Sequence, residues 1–379
     1  MAVPKAIYFF FFAAVACFAP YLALYLEGLG MVGGQIGLLT AIQPIVTLFA
    51  APAWGALADQ THQHKRILIL SMICSALIAL VLTTVHSFGW LALTIALLAV
   101  FTAPILPIVD NSVIELLGTR RVEYGKQRVW GSYGFGIAGL VSGAVIANFG
   151  MSAMFVCYAG LLGCGVLAAR NLVVRQVPIG VKLGVNLGQF IRNRRWLLFM
   201  ALVFITGAGM AILNNYYMIF FKQLGASDLL LGLALALAIL SEIPILLYSD
   251  RLLKRFGSRG MLAIGSTVFS IRTLILVLLV TPLQALALQA LQGLTFIVVW
   301  VAGVEFSSQV APPGLGATSQ GLFGGIFGGL GFACGAVLGG YLYQVFGIRM
   351  TFLTAAVGVL LATLIFLILF RPEKHAESA

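Results

Sequence analysis

Four ionisable side chains lie in or next to stretches of sequence that are otherwise apolar. Asp110 lies in PILPIVDNS, Glu242 lies in LSEIPILL, and Arg272 falls in the middle of another apolar run. An ionised group at the centre of a bilayer costs about 2.5–3.5 kcal/mol on insertion scales, so each is a candidate for a ligand or ion pathway. Arg128 begins the predicted helix after Asp110, where a guanidinium can face the carboxylate and bind an anionic or hydroxyl-rich ligand. A structural ion pair within a helix bundle is the competing interpretation.

The elements that position these groups are membrane-spanning helices. Only 9% of the 379 residues are charged and 61% are hydrophobic, whereas soluble domains carry about 25% charged residues. Apolar runs long enough to cross a hydrocarbon core recur along the chain. They predict twelve spans at 5–27, 35–58, 67–87, 90–117, 129–149, 152–172, 196–222, 228–248, 260–280, 283–305, 317–345 and 348–370.

The distribution of basic residues predicts the topology. With a cytoplasmic N-terminus, every Lys and Arg except Lys222, Arg272 and Arg349 falls on the cytoplasmic side. This asymmetry places both termini in the cytoplasm and directs the net charge of +11 toward membrane lipid and away from nucleic acid. The long polar stretch 173–195 reads as a cytoplasmic linker between two six-helix bundles, 1–172 and 196–379.

Two loops about half the chain apart have similar sequences, GALADQTHQHKR at 55–66 and LLYSDRLLKRFGSR at 246–259. They resemble the Gly-x-Leu-x-Asp motif of the major facilitator superfamily, although the second copy lacks the glycine. The resemblance implies an all-α membrane protein whose twelve transmembrane helices form two pseudo-symmetric bundles that rock about a midplane site. A solvated turn is the competing interpretation of the motif. Conformational gating is assigned to its residues Gly55, Asp59, Lys65, Arg66, Asp250 and Arg251.

Residues 107–135, PIVDNSVIELLGTRRVEYGKQRVWGSYGF, resemble a helix pair of the lactose permease branch of this superfamily. The resemblance implies that Asp110, Arg128 and Phe135 contact the ligand, with Phe135 as a ring on which a sugar stacks. Glu242 matches the branch's ligand-binding glutamate in the eighth helix.

Arg272 matches the branch's ninth-helix arginine, which takes part in proton coupling. The lactose permease branch has a histidine and a proton-carrying glutamate in its tenth helix. These positions fall on Gln292 and Thr295 here, and neither glutamine nor threonine titrates. We therefore expect Glu242 or Asp110 to carry the proton, and Arg272 to take part in the coupling. The phenylpropionate permease branch is more similar, through YGKxRxWGS, the glutamate, the arginine and a Gly-x-Thr-Phe-like stretch in span ten.

Glycines at four-residue spacing predict close helix contacts. One pair is Gly139 and Gly143, and the eleventh span carries two rows, Gly321, Gly325 and Gly329 beside Gly324 and Gly328.

These features predict a proton-coupled symporter of a small organic solute in the bacterial inner membrane. An aromatic carboxylate such as a phenylpropionate-like acid is preferred, because two arginines can neutralise it; Asn214, Asn215 and Gln292 are further expected substrate contacts. A sugar or oligosaccharide symporter, an uncoupled uniporter or exporter, and a non-transporting receptor remain open. No nucleophile–base or metal spacing emerges, so we expect no enzyme, cofactor or metal. The expected partners are the solute, protons and lipid, and the chain is expected to act as a monomer.

Overall fold

A computed structural model describes residues 2–118, 123–172, 190, 192–311 and 315–370, and all regular structure in these ranges is helical. The residues before 172 form the N-terminal segment. Its helices are α1 (Ala2–Phe18), a 3₁₀ turn (Ala19–Tyr21), α2 (Leu22–Gly28), α3 (Gly33–Thr61), α4 (His64–Val81), α5 (Phe88–Thr102), α6 (Ile105–Leu117), α7 (Tyr124–Phe149) and α8 (Ala153–Ala169).

The residues from 190 to 370 form the C-terminal segment. Its helices are α9 (Arg194–Gln223), α10 (Asp228–Leu278), α11 (Pro282–Leu288), a 3₁₀ helix (Gln289–Leu294), α12 (Phe296–Gln309), α13 (Gly316–Gly324), a π-helix (Gly325–Gly331) and α14 (Phe332–Leu369). Gly257 in α10 and Gly347 in α14 have non-helical backbone angles, at φ 66° and φ 76°, and divide these two long helices. Such positive φ values suit glycine because it has no Cβ.

Nine helices in the described ranges are long and apolar enough to cross a membrane, and Ala153–Ala169 is a shorter apolar helix. The predicted gap between the eighth and ninth spans contains Gly257, and the predicted gap between the eleventh and twelfth contains Gly347. The predicted linker lies outside the described residues except for 190 and 192–195, and so do the basic residues of 119–122 and 371–379.

Two close helix pairs hold the segments together. On α7 and α10, a methyl group added at Gly143 would lie 2.8 Å from the backbone nitrogen of Gly232. On α3 and α14, a methyl group added at Gly340 would lie 2.8 Å from the Cα atom of Gly37. Small residues let membrane helices approach this closely and gain dispersion energy that lipid cannot supply. The prediction for Gly139 and Gly143 is confirmed, since Gly139 also packs tightly, against Leu235.

The prediction for the eleventh span is confirmed only for Gly325 and Gly329, where an added methyl group would lie 3.2 Å from the Leu48 side chain of α3. Within the described part of the chain, no heavy atom lies within 4 Å of a methyl group built at Gly321, Gly324 or Gly328, and Gly325 and Gly329 approach only the side chain of Leu48. The stretch Gly325–Gly331 forms a π-helix, a wider turn that occurs mostly as a local bulge and frequently at functional sites.

Hydrogen bonds between the segments occur at the end of the molecule where the close helix pairs meet. The Tyr343 hydroxyl donates to Glu27, and the backbone N–H of Gly34 donates to Gln344 at 2.9 Å. Within the C-terminal segment, the same hydroxyl accepts from Gln223. We call this the glycine-packed end, defined by Gly37, Gly143, Gly232 and Gly340. Its contacts join α2, α3 and α7 to α10 and α14, so it is a closed interface between the segments.

We expect Gly143→Ala to destabilise the protein by about 1–3 kcal/mol, because the added methyl group overpacks α7 against α10. Gly160→Ala is the matched control, since Gly160 lies in α8 with nothing within 4 Å of its position, and alanine there should stabilise by about 0.5–1 kcal/mol. Thermal unfolding in detergent measures both. Equal shifts in the two variants would contradict the packing interpretation.

A candidate solute site around a buried arginine

Arg272 is the most deeply buried charged side chain described, with 1% of its surface exposed. Its Nε donates to the carbonyl oxygen of Leu288 at 3.1 Å, its Nη1 donates to Oε1 of Gln292 at 2.5 Å, and its Nη2 donates to Oε1 of Gln289 at 2.5 Å. All three acceptors are uncharged. The guanidinium is therefore hydrogen-bonded on every nitrogen while its positive charge is not neutralised by a bonded carboxylate.

The 3₁₀ helix explains why both glutamines reach the same guanidinium. Side chains three residues apart eclipse each other in a 3₁₀ helix, so Gln289 and Gln292 point the same way. The segment packs directly on α10, where the backbone N–H of Gly293 donates to Oγ of Ser241 at 2.9 Å. A methyl group at Gly293 would lie 2.9 Å from the Cα atom of Glu242, so only glycine allows this approach.

Glu242 lies beside this cluster without being part of its hydrogen bonding. It is half-buried, and its charge interacts with that of Arg272, yet within the described residues neither an ion pair within 4 Å nor a hydrogen bond involves its carboxylate. Pro244 follows two residues later and removes a backbone donor from the helix. The carboxyl group is thus within electrostatic range of Arg272 but outside its hydrogen-bonded shell.

A small cavity adjoins the arginine. Its volume is about 10 Å³, which is room for about one water molecule. Polar groups occupy one part of the wall and aromatic rings another, and the lining residues are Met210, Leu213, Asn214, Phe269, Arg272, Gln292, Thr295 and Phe296. Asn214 and Gln292, both predicted substrate contacts, line this cavity; Asn215 is half-buried and is not among the lining residues.

A second cluster surrounds Asp110 in the N-terminal segment. The Tyr8 hydroxyl donates a hydrogen bond to the Asp110 carboxylate, and the Tyr124 side chain also interacts with it. Arg128 does not form an ion pair within 4 Å of Asp110; its guanidinium lies over the ring of Phe12 at 4.0 Å and over Tyr8 at 5.5 Å. The structure therefore brings Asp110 and Arg128 to the same tyrosine, and their charges interact without direct bonding.

Phe135 is half-buried and packs against Ala13, Ala16, Cys17 and Ala138. This contact places its ring between α1 and α7, where part of it contributes to helix packing.

The predicted gating residues occupy different surroundings in the two loops. Asp59 bonds to Nε2 of His64 at 2.9 Å, so its partner is neither Lys65 nor Arg66. His62, at φ 54°, ends α3 in the left-handed region, and the turn it makes returns His64 to Asp59. A methyl group at Gly55 would meet nothing within 4 Å in the described chain.

In the second loop Asp250 lines an open cavity of about 320 Å³ with Lys254, Glu305 and Gln309. The guanidinium of Arg251 lies over the ring of Tyr248 at 5.2 Å.

Sequence reasoning assigned no role to Gln289. A signal for Gln289 was present, because an amide inside an apolar span needs a partner and Arg272 precedes it by 17 residues on the adjoining helix. Nothing in the spacing predicted a 3₁₀ helix at that position.

Comparison with known proteins assigns the chain to a family. The MFS_1 like family model matches residues 3–354. Maltose permease of Geobacillus stearothermophilus is 26% identical over 97% of this chain and 94% of its own length. A probable 3-phenylpropionic acid transporter of Escherichia coli (strain K12) is 24% identical over 90% of each chain.

Among solved structures, the nucleoside transporter NupG superposes with a TM-score of 0.86 at 17% identity, covering 98% of this chain and 99% of that one. At this identity the likeness concerns the fold alone. With the family model matching nearly the whole chain, the protein is a multi-pass membrane protein that belongs to the MFS_1 like family of transporters.

Proposed function

We propose that the protein is a secondary active transporter that carries an aromatic carboxylate together with a proton by alternating access. The observation that carries this proposal is the buried Arg272, which holds only uncharged acceptors beside a cavity with aromatic walls. A monocarboxylate with a ring would supply the missing negative charge, and its ring would contact Phe269 and Phe296 once the transport cycle widens the cavity, which as described has room for about one water molecule. The 24% identical probable 3-phenylpropionic acid transporter supports the same solute class.

Proton coupling follows from competition for one cation. Arg272 offers one positive charge, with which the Glu242 carboxylate interacts while no other anion is present. A solute carboxylate that bonds to the guanidinium places two negative charges beside one positive charge, which favours the protonated form of Glu242. Solute and proton therefore bind together, and their combined transfer is electroneutral. Asp110, held by Tyr8, is the second candidate proton carrier.

The transport cycle that we propose uses the full set of predicted spans. We count α10 and α14 as two crossings each, because Gly257 and Gly347 divide them, and we include the short helix α8. This count supports twelve crossings. Bundles 1–172 and 196–379, joined by a cytoplasmic linker, would then rock about the glycine-packed end. The loop residues around Asp59 and Asp250 would control the opposite end, and both termini would face the cytoplasm across the bacterial inner membrane. A single chain suffices for this cycle.

A sugar–proton symporter is the second candidate function. The cluster of Asp110, Arg128 and Tyr8 offers a carboxylate, a guanidinium and a ring, the groups that recognise hydroxyl-rich solutes. The 26% identical maltose permease favours this alternative.

We expect Glu242→Gln to abolish proton-driven accumulation while leaving solute exchange intact, because glutamine cannot carry the proton yet preserves the shape of the site. In proteoliposomes, one pH unit drives about a tenfold accumulation at one proton per anion. Glu305→Gln is the matched control; Glu305 accepts from Gln309 at the end of α12 and should not affect coupling. Unchanged uphill uptake in Glu242→Gln would refute the coupling role.

We expect 3-phenylpropionate to raise the thermal unfolding temperature of the purified protein saturably, because a ligand that binds only the native state stabilises it by mass action. Arg272→Gln should remove this stabilisation. Arg349→Gln is the matched control, since Arg349 donates to the carbonyl oxygens of Val277 and Leu279, away from the site. Stabilisation by maltose that is lost in Asp110→Asn would instead establish the sugar alternative.

A further inference from the structure

The two glutamines that bond to Arg272 differ in their environment. Gln292 is half-buried and lines the cavity, so a solute can reach it. Gln289 is 5% exposed and lies outside the cavity wall, behind the guanidinium. A solute carboxylate can therefore displace the Gln292 oxygen from Nη1, whereas Gln289 keeps its bond to Nη2.

Gln289 is itself held by neighbouring groups. Its main-chain carbonyl oxygen accepts from Oγ of Ser241 at 3.3 Å, and the side chain of Tyr217 interacts with its carboxamide. Tyr217 is also fixed, since its hydroxyl donates to the carbonyl oxygen of Ala285 at 3.0 Å. The oxygen that orients the guanidinium thus belongs to a rigid part of the structure.

The side chain at position 289 accepts a hydrogen bond from Nη2 of Arg272, and its chemical character decides how much charge the arginine offers to a solute. A carboxamide and a carboxylate have nearly the same shape, and both can accept from Nη2. A carboxylate would form a charge-assisted bond and neutralise the guanidinium, whereas the carboxamide orients it and leaves its charge available.

We propose that Gln289 is the positioning residue that sets the charge selectivity of the site: it fixes Arg272 without neutralising it, so that the site accepts an anionic solute. This inference rests on the proposed function and adds a residue that acts through the arginine without touching the solute. It follows that a carboxylate at position 289 converts an anion-selective site into one that prefers a neutral solute of the same shape.

The test compares the dissociation constants of 3-phenylpropionate and of its uncharged amide, 3-phenylpropanamide, for the purified full-length protein. The original protein should bind the acid at least about tenfold more tightly than the amide, the discrimination expected from one charge-assisted pair. In Gln289→Glu the ratio of the two constants should fall to about one or invert. A merely structural effect would weaken both ligands alike and leave the ratio unchanged.

Two further variants control for added charge and for folding. Gln284→Glu places the same charge on the exposed side of α11, where Gln284 caps the helix, and should keep the preference for the acid. The double variant Gln289→Glu/Glu242→Gln adds one carboxylate and removes another, so the net charge of the cluster does not change. It therefore provides the same test if the added charge prevents the single variant from folding. It should also lose the preference for the acid.

The outcomes separate this inference from the proposed function. An original protein that binds the acid no better than the amide would overturn the proposed function and the role of Gln289 with it. An original protein that prefers the acid, with the same ratio in Gln289→Glu or in the double variant, would overturn the role of Gln289 alone. If Gln289→Glu and the double variant both lose the preference for the acid and Gln284→Glu keeps it, the role of Gln289 in charge selectivity is established.

Discussion

A guanidinium can stay buried among apolar helices only when each of its nitrogens has an acceptor, because water is excluded and an unpaired charge is costly. Arg272 meets this requirement with three uncharged oxygens. The requirement explains the short 3₁₀ helix, which aligns two glutamines, and the glycine at 293, which lets that helix lie against Ser241. The irregular backbone at this depth is therefore a consequence of the buried charge that it surrounds.

Glycine has two distinct uses in this fold. Gly143 and Gly340 allow backbones to approach across the interface between the segments, whereas Gly325 and Gly329 belong to a π-helical turn that faces Leu48. The first use brings two backbones into contact, and the second lies in a helix whose turns are wider than those of an α-helix. The closed end of the molecule and the π-helical stretch of the eleventh predicted span thus both contain glycines at four-residue spacing.

Much of the fold could be predicted from the sequence, because apolar runs of this length are typical of membrane-spanning helices and rare in soluble domains. Arg272 and Glu242 could also be identified, since ionisable residues are conspicuous in such runs. Gln289 was missed although its amide lies in an apolar span, because its role depends on a 3₁₀ helix that eclipses it with Gln292 and the interpretation assumed α-helical spacing. The partner of Asp110 was equally hidden, because helix rotation decides between Tyr8 and Arg128.

The acceptors of Arg272 lie 16, 17 and 20 residues after it in the chain. All three belong to the next helical stretch, so the charge is satisfied within one hairpin and requires nothing from distant helices. If this hairpin enters the membrane as a unit, it can carry the guanidinium already bonded to these three acceptors. The cost of inserting this arginine is then met at the stage of biogenesis, before the remaining helices assemble around the site.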